Sequence, residues 1–241
     1  MALEEIGRIA AIWRFPVKSM RGEALAAAEL RWSGLDGDRQ YAFYRAADGS
    51  RFPWLSGRDL AELLLYEPRW AEPANPRRSA LEVTAPDDTS CDIGEPALAA
   101  RLGAAAGREL RLLQLGRGAF DSMPVSVLAR RTIAALGARL GQPLDEARFR
   151  ANLVLETPNG SSERDWLGGT LVFGEGEAAP RLRVNRPIPR CRMITIDPAT
   201  GVKDPRILET VAAEFGNEIG VYCAPDAIGT LRLGDTVRLL R

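Results

Sequence analysis

The sequence predicts a β-rich α+β fold of barrel-like sheets with a few short helices. Two observations carry this. Short apolar runs of strand length recur along the chain, separated by turns drawn from 23 Gly and 16 Pro residues. Few segments have helical periodicity, and no internal repeat or low-complexity tail interrupts the pattern. A length of 241 residues suits one large domain or two modest ones. A glycine-bounded turn at Gly116–Gly118 marks the boundary, giving an N-terminal domain over 1–115 and a C-terminal domain over 116–241.

In chain order, Gly7–Pro16 (GRIAAIWRFP) reads as a strand. PVKSMRG then places Lys18, Ser19 and Arg21 in a loop closed by Gly22. GEALAAAEL fits a helix by its alanine content and a strand by its position. Gly34–Arg39 is a turn whose Arg39 leads the strand QYAFYRA, and Asp48-Gly49 is a hairpin signal. Ser56–Arg58 forms a polar turn with a basic end, and Asp59–Leu65 fits a short helix or a strand. Trp70–Arg78 is an irregular connection. SALEVTAP is a strand, and TSCDIGEP is a turn carrying Cys91. Pro96–Ala106 is a helix with Pro at its first turn and Gly107 past its end. Arg108–Leu115 alternates as a strand does.

In the second half, the polar turn Asp121-Ser122 opens onto a buried strand. ARRTIAALGARLG is an amphipathic helix stopped by Gly141. Arg148–Glu156 reads as a strand with Arg150-Ala151-Asn152 embedded in it. TPNGSSERDW is an exposed loop with Asn159-Gly160 at its tip. Two strands joined at GEGE follow. Strand-like runs, Arg181–Ile188 and Met193–Ile196, then flank Cys191, and Asp197–Gly201 is a turn. Pro205–Phe215 is a helix, EIGVYCAP a strand holding Cys223, and Gly234-Asp235 the centre of a terminal hairpin. Asp36, Asp38, Asp197 and Asp204 read as turn formers.

Composition excludes several classes of function. The 32 acidic residues balance the 32 basic ones, so a general nucleic-acid or anionic-membrane binder is not expected. No apolar run reaches a membrane span, and acids near the N-terminus do not suit a signal peptide, so the chain is expected in the cytoplasm. Three cysteines outside C-x-x-C spacing argue against a disulfide framework or a structural zinc site. The absence of histidine removes Ser-His-Asp, Cys-His and H-E-x-x-H chemistry. Neither a Walker A nor a dinucleotide glycine motif is present.

What remains is a thiol among arginines and a set of polar turn residues. Arg186, Arg190 and Arg192 frame Cys191 with positive charge, which favours a thiolate that binds metal or attacks an electrophile. A buried structural cysteine is the alternative. Lys18, Ser19, Arg39, Arg58, Ser122, Arg150 and Asn152 are each ordinary turn residues in isolation. Together they would suit a phosphorylated small molecule, with Arg and Lys on phosphate and hydroxyls and Asn on ring edges. A thiolate could then ligate a soft or borderline metal carried by that molecule.

RCRMITIDPATG around Cys191 resembles the cysteine motif of MOSC-domain proteins, and PVKSMRG and GDRQYAF resemble the MOSC N-terminal β-barrel domain that precedes it. The chain is similar over nearly its whole length to the mitochondrial amidoxime-reducing components and their bacterial relatives. That resemblance implies a MOSC N-terminal barrel packed on a MOSC barrel. It implies a molybdenum cofactor (molybdenum–molybdopterin) with Cys191 as the metal ligand. By position it assigns cofactor contacts to Lys18, Ser19, Arg39, Arg58, Ser122, Arg150 and Asn152. FDSMP matches the family's Asp-Thr-Ser-Pro turn, which puts Asp121 near the metal as the group to hold or move a proton. Met123 stands where a second hydroxyl is usual, and Ala151 replaces a proline. The implied activity is reduction of N-hydroxylated or N-oxide small molecules by oxygen-atom abstraction at molybdenum. The membrane anchor of the mitochondrial relatives and the ferredoxin-like extension of some bacterial ones have no counterpart in the sequence. Electrons are therefore expected from a separate ferredoxin, flavoprotein or cytochrome. The alternative is a non-catalytic carrier of the cofactor, or of sulfur on Cys191.

Overall fold

The computed structural model describes residues 3–158 and 160–241; Asn159 of the loop tip lies outside the described residues. The first nine strands are β1 (Leu3–Arg14), β2 (Glu23–Leu25), β3 (Ala27–Arg31), β4 (Gly34–Leu35), β5 (Tyr41–Arg45), β6 (Glu67–Trp70), β7 (Leu81–Thr84), β8 (Ser90–Asp92) and β9 (Leu110–Gln114). The others are β10 (Val125–Ala129), β11 (Leu153–Glu156), β12 (Thr170–Phe173), β13 (Arg181–Pro189), β14 (Glu218–Ala227), β15 (Gly229–Arg232) and β16 (Thr236–Leu240). The helices are α1 (Pro96–Ala106), α2 (Arg130–Leu140) and α3 (Pro205–Glu214). The expected β-rich α+β architecture is present.

Strands β11, β10, β14, β13, β12, β16 and β1 run side by side, and β1 pairs back onto β11 to close a barrel. Closure satisfies the edge hydrogen bonds that an open sheet would leave bare. Ile6, Ile9, Val127, Leu155, Phe173, Leu182 and Leu239 fill the interior. On the next positions of β10 and β11, Leu128 and Val154 face outward. There they pack on Ile133 and Leu136 of α2 and Ile207 and Val211 of α3. Burial on both faces is why VSVLA and LVLE are apolar throughout rather than alternating. Strands β10 and β11 are parallel and so need a crossover, which α2 supplies.

A second core lies between β5–β9, β6–β7–β8 and α1, built on Phe43, Tyr66, Trp70, Leu81, Val83, Leu98 and Leu102. The two halves of the chain interlock. Strand β1 completes the barrel otherwise made by residues after 124, and β15 pairs with β3.

Several local readings need correction. Met193–Ile196 is not a strand: Arg192–Thr195 is a 3-10 turn, with Ile194 and Thr195 buried. Arg148–Glu156 is a strand only from Leu153; before it, Glu146–Phe149 is a 3-10 turn ended by Arg150 in the left-handed conformation, φ 54°. Cys91 sits on β8 rather than in a turn. TPNGSSERDW contains a 3-10 turn whose Trp166 is fully buried. Asp48-Gly49 yields a single bridge between Tyr44 and Trp54, because β5 takes β9 as its partner. The terminal turn at Gly234-Asp235 joins strands that diverge into different sheets. Where two readings were open, the structure has one of them: GEALAAAEL forms strands, β2 and β3, and Asp59–Leu65 contains a short helix, a 3-10 turn over Ala61–Leu65.

Candidate functional site

Loops flanking β1, β5, β10, β11 and β13 converge on one cavity that encloses about 130 Å³. Its walls include Lys18, Ser19, Arg39, Arg58, Asp121, Arg150 and Cys191. These come from six separate stretches of the sequence. Cys191, Arg58 and Asp121 are exposed at its mouth, whereas Lys18 and Ser19 are buried.

The buried Lys18 sets the inner wall. Its ammonium donates to the carbonyl of Ala119 at 2.9 Å and to Asp121 Oδ1 at 2.7 Å. Burial pulls its pKa down; the Asp121 carboxylate opposes this, and the nearby Arg39 and Arg150 charges add to it. For Asp121, the partial loss of water around its cavity-facing carboxyl would by itself push the pKa up. Lys18, Arg39 and Arg58 outweigh it and hold the carboxyl below its ordinary value.

Arg39 and Arg150 stack together on Phe15, with guanidinium carbons 4.7 and 4.2 Å from the ring centroid. The buried Asp38 anchors this arrangement. It accepts from the backbone N–H of Phe15 at 2.7 Å, from Asn152 Nδ2 at 3.0 Å and from Arg39 Nη1. Arg39 Nη2 donates to the carbonyl of Arg150 at 3.0 Å, and Arg150 Nη1 to that of Met20 at 2.7 Å. Burial, reinforced by the Arg39 charge, draws the Arg150 pKa down to about 9. Its Nη2 is buried and has no acceptor among the described residues.

Backbone strain concentrates here. Of the five described non-glycine residues with positive φ, three line the cavity: Ser19 (65°), Arg39 (50°) and Arg150 (54°). Such conformations persist only where surrounding contacts impose them, and they cluster at functional sites. Gly57, in the loop bearing Arg58, packs against the side-chain ends of Leu64 and of Met193, which lies in the turn after Cys191.

Two expected contact residues stand apart from the cavity wall. Asn152 is buried one layer behind it: its Oδ1 accepts from the backbone N–H and hydroxyl of Ser126, and its Nδ2 reaches Trp13 O and Asp38. The Ser122 hydroxyl faces the neighbouring groove, where it accepts from Arg186. Sequence reasoning missed Asp38, which it took for a turn former, together with Arg148 and Tyr222 of the wall; of the three arginines expected to frame Cys191, Arg190 lines the cavity. Arg148 is buried and spans to Thr195 O at 3.0 Å and Asp197 Oδ2 at 2.9 Å, fixing the turn that follows Cys191. Arg190 donates to Ile219 O and Phe149 O at 2.7 and 2.9 Å. The one sequence signal for Arg148 was its spacing from Arg150 in RFR.

Cys91 is half-buried against the second core and Cys223 is fully buried in the barrel, where burial pushes its thiol pKa far up. Cys191 is the exposed cysteine.

Six cations line the cavity, Lys18, Arg39, Arg58, Arg148, Arg150 and Arg190, against one lining carboxylate, Asp121. Arg58, Arg150 and Arg190 form no salt bridge among the described residues. Such a wall suits an anion rich in hydrogen-bond acceptors. No group of three or more His, Cys, Asp or Glu side chains fit to hold a metal lies among the described residues. A metal here would have to arrive with ligands of its own, to which Cys191 could add a thiolate. A molybdenum–pterin cofactor, with its phosphate and its own sulfur ligands, meets both conditions.

The chain matches the family model "MOSC N-terminal beta barrel domain" over residues 6–113 and the model "MOSC domain" over residues 115–238. Over 77 residues it is 40% identical to molybdenum cofactor sulfurase 3 of Aedes aegypti, covering 31% of this chain and 9% of that protein. Over 130 residues it is 30% identical to mitochondrial amidoxime reducing component 2 of Bos taurus, covering 48% of this chain and 37% of that one. The chain thus spans well under half the length of these curated relatives. The crystal structure of the YUAD protein from Bacillus subtilis aligns with a TM-score of 0.52 over 99% of this chain and 97% of that one. At 11% identity this is a likeness of fold. No helix among the described residues is long and apolar enough to cross a membrane. With both of its halves matched in sequence and a closed barrel built to carry the cysteine turn, the chain belongs to the MOSC family, an N-terminal MOSC barrel domain followed by a MOSC domain.

Proposed function

We propose that this chain binds a molybdenum–pterin cofactor and reduces N-hydroxylated or N-oxide small molecules, with Cys191 as the metal ligand. The observation that carries the reading is the meeting of Cys191 with Lys18, Arg39, Arg150 and Asp121 around one cation-rich cavity. Relatives named as amidoxime-reducing components support the choice of substrate class. When bound, the cofactor supplies two-electron oxygen-atom transfer, chemistry that side chains alone cannot perform.

The protein's part is binding, orientation and proton handling. Arg39 and Arg150, held by Asp38 and Phe15, present a fixed pair of charges to the anionic part of the cofactor. The unpartnered Nη2 of Arg150 is the donor such an anion would satisfy. Ser19 adds a buried polar lining, and Arg58 a charge at the mouth. Asn152 acts through Asp38, which it helps to hold in place. Asp121 and Lys18 divide the proton work. A carboxyl held ionised accepts, and an ammonium made more acidic by burial donates. Electrons would come from a separate donor protein. Turnover of an N-hydroxylated compound with a chemical reductant, lost in Cys191→Ser, tests the assignment; a Cys191→Ser protein with full activity would end it.

A second reading has its own support in the similarity to molybdenum cofactor sulfurases and in the exposure of the Cys191 thiol. In it the chain carries the cofactor, or sulfur on Cys191, to another enzyme. A persulfide found on Cys191 by mass spectrometry, with no reductase turnover, would favour it.

A further inference from the structure

Beside the cavity runs a groove of about 730 Å³ lined by Trp32, Arg51, Phe52, Trp54, Arg117 and Arg186. Trp32 and Phe52 are 65% and 43% exposed, and they are the exposed aromatic rings among the described large hydrophobics. Single exposed apolar residues are ordinary; two aromatic rings in one groove with a third behind them mark a contact surface. Arg51 stacks on Phe52 with 5.5 Å between guanidinium carbon and ring centroid. None of the three arginines forms a salt bridge among the described residues. The lining carboxylate, Asp121, is already paired with Lys18.

The groove adjoins the cavity across a shared wall residue. Asp121 lines both. Arg186 donates to Ser122 on the groove wall and sits 5.7 Å from the ring centroid of Tyr222, which lines the cavity. A small molecule reacting in the cavity would therefore extend its remote end along these rings and guanidinium groups.

Resting on the reading of the cavity as the reaction site, we propose that this groove selects substrates with a planar aromatic body and an acidic group, carboxylate or phosphate, remote from the reacting N–O. The rings offer stacking faces, and the arginine forks match both acidic groups. A neutral compound gains only the stacking, and a cationic one meets repulsion.

The probes are benzamidoxime, 4-carboxybenzamidoxime and the 4-phosphate ester of 4-hydroxybenzamidoxime. Binding to the cofactor-loaded protein is followed by quenching of tryptophan fluorescence without reductant, and KM is measured with a chemical reductant. At low salt each acidic probe should bind about fivefold tighter than benzamidoxime, the scale of an exposed ion pair, and the gap should narrow as salt rises. The triple variant Arg51→Ala/Arg117→Ala/Arg186→Ala should close the gap, while Trp32→Ala should weaken all three probes alike. Equal binding of charged and neutral probes, or a charge preference that survives in the triple variant, would overturn the proposal. Selective binding without turnover would keep the groove and remove the reductase reading; turnover without charge preference would do the reverse.

Discussion

Lys18 and Asp121, 103 residues apart in sequence, meet at 2.7 Å on the cavity wall. One partner is buried and the other keeps 65% of its side-chain surface in contact with solvent. The pair therefore matters more for protonation states than for stability. A carboxyl whose folded pKa is depressed stabilises the fold above its unfolded value, near 3.9 for aspartate. That contribution disappears as pH falls through the folded value. Solvent screening limits it to less than about 1 kcal/mol. Carboxyl titration followed by NMR should place Asp121 below the ordinary aspartate range, and Lys18→Met should raise it. A carboxyl unmoved by that substitution would mean that Lys18 does not control it.

Asp38 should matter far more to the fold. It is almost fully buried and holds Phe15, Arg39 and Asn152 at once. Asp38→Ala strands a buried guanidinium and two donors, with an expected loss of about 3 kcal/mol in chemical denaturation. Asp38→Asn should cost less, since an amide oxygen can still accept from Phe15 N–H.

Arg150 allows strain to be separated from binding. At φ 54° it sits where glycine is at ease and other residues are not. Arg150→Gly should be more stable than Arg150→Ala by about 1 kcal/mol in thermal melts. Both variants should lose cofactor during purification, because both lack the guanidinium. Retention of the cofactor by either would remove Arg150 from the binding set.

Glu163 supplies a control outside the cavity wall. Its buried carboxylate accepts from Ala129 N–H at 3.0 Å and from the Thr132 hydroxyl at 2.7 Å, tying down the start of α2. Glu163→Ala should lower stability by about 2 kcal/mol. Cofactor content per folded chain should not change.

The parts of this fold legible in the sequence are those fixed by local chemistry. Helices α1 and α2 end where expected because Gly107 and Gly141 adopt left-handed caps, φ 64° and 68°. The β12–β13 hairpin forms at its acidic glycine turn. Misreadings arose where long-range packing decides. Met193–Ile196 is apolar enough for a strand, yet Arg148 ties the carbonyl of Thr195 and the Asp197 carboxylate from across the fold, which suits a 3-10 turn. Arg150-Ala151-Asn152 looked like part of a strand because no local signal announces a left-handed arginine.

The site was legible to a similar extent. Charged and thiol residues in turns pointed to the cavity, and most of them line it. What sequence could not supply was depth. Asp38 and Asn152 act from behind the wall, and their burial depends on Phe15, Trp13 and Ser126, all distant in sequence from Asn152.

Molybdenum and pterin content of the protein, purified from a host able to make the cofactor, tests the central claim most directly. Wild type should carry both in stoichiometric amount. Cys191→Ser should keep its fold while its metal becomes readily lost. Wild-type protein without metal or pterin from such a host, or a Cys191→Ser protein that holds molybdenum as firmly as wild type, would contradict the account.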